Sequence, residues 1–110
     1  MVAKSRAPGH LAPATRRWWL SVVADYELEP HHLRLLSLAA GAWDRAEQAR
    51  KALEMADSLT FLDRFGQPHA RPELAVERDS RTSFARLLRE LCLDVEPPRA
   101  PGRPPGLGGR

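Results

Sequence analysis

Cysteine occurs once in the 110-residue chain, as Cys92, and a single thiol excludes an internal disulfide. This usage fits a reducing compartment, with Cys92, set between Leu91 and Leu93, packed as a small apolar side chain. No stretch approaches the ~18 to 20 continuous apolar residues of a membrane span. The basic N-terminus carries no apolar run of the signal-peptide kind, so the expected location is cytoplasmic, with no membrane partner. Aromatic residues make up only 6% of the chain, which concentrates its burial capacity in Trp18, Trp19 and Trp43. The patterns of enzyme sites are lacking too. No glycine-rich loop opens a helix to cradle phosphate, and no nucleophile motif surrounds a serine or threonine. No cysteine pair supports a zinc site, and His31 and His32, adjacent on a helix, are expected to diverge. Asp63 and His69 flank a turn and read as a surface pair, and Asp25 and Glu29 read as a solvated helix face. The expectation is a non-enzyme with no catalytic residue, no metal and no cofactor.

What is present is basic charge, unevenly placed. The net charge is +3. Lys4, Arg6, Arg16 and Arg17 precede any acidic residue, whereas acids outnumber bases from 18 to 93. This asymmetry suits a polyanion partner such as nucleic acid, and a solubilising tail is the competing reading. Arginines on an arm and a first helical turn can neutralise phosphates without reading sequence. Lys4, Arg6, Arg16 and Arg17 are therefore the candidate DNA-binding residues.

Hydrophobic spacing predicts a mainly α-helical fold. Residues 1–12 read as a flexible basic arm. Helix one follows from Pro13 to about Glu27, with Trp19, Val22, Val23 and Tyr26 at the i, i+3, i+4, i+7 spacing of one buried stripe. Trp19 is thus the core tryptophan, and Trp18, at the stripe's edge, is free to meet another helix or subunit. Glu29-Pro30 breaks the chain. Helix two, about His31 to Ala56, carries Leu33, Leu36, Ala40, Trp43, Ala46 and Leu53 at near-heptad spacing. The short connection implies an antiparallel helical hairpin. Leu59 and Phe61, then Phe65-Gly66-Gln67-Pro68, suggest a short β-hairpin or ordered loop. Helix three runs from Pro72 to about Leu91, with Phe84, Leu87, Leu88 and Leu91 as its stripe. Residues 13–93 form the domain, and the Pro- and Gly-rich residues 94–110 read as a disordered tail. So small a domain has a modest core. Trp18, Leu36, Trp43 and Leu53 are therefore candidate contacts between copies, or else an ordinary monomeric core.

The stretch "WLSVVADYELEPHHLRLLSLAAGAWDRAEQARKAL" resembles the N-terminal helical hairpin of phage terminase small subunits. The matching positions are Trp19 with Val22 and Val23, then Asp25-Tyr26-Glu27-Leu28, His32-Leu33, Leu35-Leu36 and Asp44. "DRFGQPHARPEL" resembles the family's hairpin connection, and "RTSFARLLRELCLD" its last helix. Where the family often has a His-Pro pair, Ala70 and Arg71 separate His69 from Pro72. The resemblance covers roughly 11–95. It implies a non-catalytic DNA-packaging protein of a tailed phage or prophage. Such a protein binds double-stranded phage DNA, forms a ring-like homo-oligomer and recruits or regulates the large terminase subunit, which holds the ATPase and nuclease. The tail from Pro97 is the segment expected to dock on that subunit. A helical protein-binding adaptor and a small transcription regulator are the alternatives.

Overall fold

The computed structural model describes residues 6–93, leaving Lys4 and the expected tail 94–110 outside the described residues. The order is α1 (Pro13–Asp25), α2 (Pro30–Met55), β1 (Thr60–Leu62), β2 (Pro68–Ala70) and α3 (Pro72–Glu90). The fold is mainly helical, and each helix begins on a proline, whose missing N–H costs nothing in the first turn. At the head of α2, the Glu29 side chain accepts the His32 N–H while His32 Nδ1 accepts the Glu29 N–H at 3.0 Å. This reciprocal cap fixes the start of the longest helix. It also turns His32 so that the two imidazoles lie 4.1 Å apart, rather than diverging as expected.

α2 is the central element. Thr15 meets Asp44 and Trp19 meets Ser37, so α1 runs antiparallel to it. On another flank α3 makes the more extensive packing, again antiparallel, with Trp43 against Phe84 and Leu36 in one cluster with Leu91. This interface is built from small residues: Ala39, Ala42, Ala46 and Ala49 of α2 and Ser80 of α3 are buried. Their three- and four-residue spacing is a heptad seam, and side chains of this size let helices approach closely. The core proper lies toward one end, where Leu11, Trp19, Val22, Leu36, Ala40 and Leu91 cluster. The other end of the α2–α3 pair carries the antiparallel hairpin, with Phe61 opposite His69 and Leu62 opposite Pro68.

Three expectations need correction. The arm is not loose as far as residue 12: Leu11 is buried, Ala7 packs on the core, and the Ala12 N–H donates to Asp44 Oδ2 at 2.8 Å. Burying Leu11 beside Trp19 offsets the entropy of ordering this segment. Cys92 does not pack inside; it is exposed and takes a positive φ of 60°, because it occupies the left-handed position that closes α3. Leu36 is not an exposed contact between copies, since it is 0% exposed within its own chain.

Candidate nucleic-acid interface

With α1 against the Ser37–Asp44 flank of α2 and α3 against the alanine seam, one face of α2 lies open between the two helices, and its Leu38 and Arg45 border Asp79, Ser80, Ser83 and Leu87 of α3. Arg34, Leu38, Gly41 and Arg45 follow one another along it, at the i, i+4, i+7, i+11 spacing of a single helix face. They form the floor of an open cleft of about 760 Å³. Arg6 and His10 from the N-terminal segment contribute to it, and the Trp19 indole forms part of its wall. The docking of Leu11 holds Arg6 and His10 there. The Trp19 N–H is satisfied by Ser37 Oγ at 3.3 Å, and the Ser37 hydroxyl donates in turn to the Leu33 carbonyl at 2.9 Å. This wall is therefore rigid and internally paired.

No aspartate or glutamate lines the cleft. Three arginines elsewhere are held in ion pairs. Arg50 bridges Glu47 and Glu54, Arg81 pairs with Glu77 at 2.7 Å and Arg78 with Asp79 at 3.1 Å. The Arg50 hydrogen bond holds the Glu47 carboxyl below its ordinary pKa. Among the described residues, Arg6, Arg34 and Arg45 have no such ion pair and are exposed, which is true also of Arg16, Arg17, Arg64, Arg86 and Arg89; what sets the three apart is that they share one cleft. Arg34 and Arg45 lie ~16 Å apart along the helix axis. Over that length a DNA duplex presents several phosphates, at one charge per ~1.7 Å.

Of the residues picked from sequence, Arg6 lies in the cleft. Arg16 and Arg17 are exposed on α1 outside its lining. Helical geometry places Arg16 ~60° around α1 from Trp19 and Arg17 ~160° away, so Arg16 is the nearer of the two to the cleft side. Arg34 and Arg45 were missed. Their signal was available as two arginines eleven residues apart on one helix face with no acid between them on that face. It was obscured because the charge of 18–93 as a whole is acidic. Trp18 and Trp43 both meet Phe84, and Leu53 is half-buried. No group of His, Cys, Asp or Glu among the described residues could hold a metal ion, and no described helix is long and apolar enough to cross a membrane. No family model, curated protein or solved structure matches the chain.

Proposed function

We propose that this chain is a non-catalytic subunit that binds double-stranded DNA through the open face of α2, as a phage terminase small subunit would. In that role several copies act together and engage a large subunit with ATPase and nuclease activity. The single observation that carries the reading is the acid-free cleft of Arg6, His10, Arg34 and Arg45. Unpaired guanidiniums on a rigid helix lose little on meeting phosphate, because no internal ion pair has to break first. Contacts of this kind position a protein on DNA rather than specify a sequence.

The test is fluorescence anisotropy of a random-sequence duplex titrated at several salt concentrations. Charge reversal at Arg34 and Arg45 together is expected to weaken binding at least tenfold. Replacing both by alanine should reduce the slope of log affinity against log salt by about two, at ~0.9 per phosphate contact. Reversal of Arg78 and Arg86 on α3 changes the net charge equally and should cost much less. Equal losses in the two pairs would reduce the effect to net charge and reject the site.

A protein-binding adaptor has separate support at the far end of the molecule. Met55 is 87% exposed and Phe65 75% exposed, with Leu59 and Leu62 also open to solvent. Clustered apolar side chains of this kind mark contact surfaces. On the packaging reading, this tip is where copies of the chain or the large subunit make contact.

A further inference from the structure

On the side of α2 away from the basic face, the three helices enclose a groove walled by Trp18, Trp43 and Phe84. The Phe84 ring centre lies 5.7 Å from that of Trp18 and 5.2 Å from that of Trp43, both pairs tilted. Edge contacts of this kind favour the aromatic cluster itself, yet Trp43 stays 44% exposed. The groove holds about 210 Å³, below the ~300 to 1,000 Å³ of a typical small-molecule pocket. It suits a few inserted side chains of a docked segment better than a whole small molecule.

The sequence supplies such a segment. Beyond the described residues runs "EPPRAPGRPPG", in which Pro98, Pro101 and Pro104 repeat the Pro-x-x-Pro spacing twice. In a polyproline II helix, with three residues per turn, prolines at this spacing would fall on one face, and such faces dock on aromatic-lined grooves at low ordering cost. The route back to the groove is set by the end of α3. The Cys92 N–H bonds the Arg89 carbonyl at 2.9 Å and the Leu93 N–H bonds the Leu88 carbonyl at 2.8 Å. With Cys92 in the left-handed region, this is a Schellman closure. It turns Leu93 onto the core rather than onward along the helix axis. Phe84 lies only ~10 Å along α3 from Leu91, and five extended residues from Leu93 to Pro98 span up to ~16 Å.

Charge agrees with the fit. Asp44 stands behind Thr15 of the groove wall and accepts from the Thr15 hydroxyl and the Ala12 N–H. Both donors are neutral, and Asp44 has no cationic partner among the described residues. Arg99 and Arg103 are the cations within the Pro98–Pro104 segment.

We propose that the Trp18–Trp43–Phe84 groove is the docking site for the Pro98–Pro104 segment of the same chain. The inference is independent of the DNA-binding reading. The experiment compares indole N–H signals by NMR in the full chain and in a full chain carrying Pro98→Ala, Pro101→Ala and Pro104→Ala. The Trp18 and Trp43 signals should move in the variant, while that of Trp19, bonded to Ser37, stays in place. A synthetic peptide of residues 94–110 added to the variant should return the two signals toward their original positions. Circular dichroism of both chains checks that helix content is kept. Unchanged Trp18 and Trp43 signals overturn the proposal. So does a difference that fades on dilution of the full chain, because the occupant would then be a second copy's tail.

Discussion

Single residues decide several features of this molecule. Asp44 ties the start of α1 to α2 through Thr15 and Ala12, a role that no periodicity announces. Asp63 does the equivalent for the β-hairpin. Its Oδ1 accepts the N–H groups of Phe65 at 2.8 Å and Gln67 at 3.0 Å, and its Oδ2 lies 2.7 Å from His69 Nε2. The Gln67 N–H first, with His69 and the Phe65 N–H, holds the Asp63 carboxyl below its ordinary pKa. A carboxylate whose pKa is lowered in the folded state stabilises it fully above the unfolded pKa, and that stabilisation is lost as pH falls through the folded value. The hairpin amides of Phe65 and Gln67 should therefore lose protection from hydrogen exchange as the solution is acidified below the carboxylate range. Asp63→Ala should remove that protection at neutral pH and leave the helical amides unchanged. Protection that is insensitive to both would remove Asp63 from the turn. The surface pairing of Asp63 with His69 was legible in the sequence, because both residues flank Gly66, whose φ of 77° makes the turn. The exposed Cys92 was not legible, since Leu91 and Leu93 on either side mimic a continuing buried stripe.

At the scale of elements, the 26-residue α2 packs against both other helices and presents the basic face. Its length and its start at Pro30 follow from proline chemistry and were readable to within a residue or two. The direction of its faces was harder to read. The stripe read from sequence runs through Leu36, Ala40, Trp43 and Ala46, and of the buried alanine seam at 39, 42, 46 and 49 it catches only Ala46. Alanine carries little hydrophobic signal, but here its small size is what the packing uses. The basic face escaped for a related reason, since it is defined by what α1 and α3 leave uncovered. Gly41 offers a test on this face. A Cβ at Gly41 would meet nothing within 4 Å, so Gly41→Ala should stabilise the chain by about 0.5–1 kcal/mol through helix propensity, measured by urea denaturation. Destabilisation would mean that the face is occupied in the free protein.

For the whole molecule, the arrangement separates three surfaces. A basic face lies on one side of α2, an aromatic groove on the other, and an apolar hairpin tip at the far end. The three-helix order was legible in the hydrophobic spacing and the prolines, whereas the place of the core at the opposite end was not. The location of the apolar surface was legible only in part: Trp43 is exposed and Leu36 is interior, while the most exposed apolar side chains include Met55, Leu62 and Phe65 at the tip. If copies meet through the tip, light scattering on the purified chain should give a mass above one protomer at micromolar concentration, and Phe65→Asp should return it to one. A monomer under all conditions would reject the ring. The most direct measurement of the central claim is NMR mapping of the full chain on addition of a short random duplex at low salt. The account predicts that the moving signals follow Arg34, Leu38, Gly41 and Arg45 and extend to His10. A spectrum that does not change, or changes confined to the hairpin tip, would contradict it.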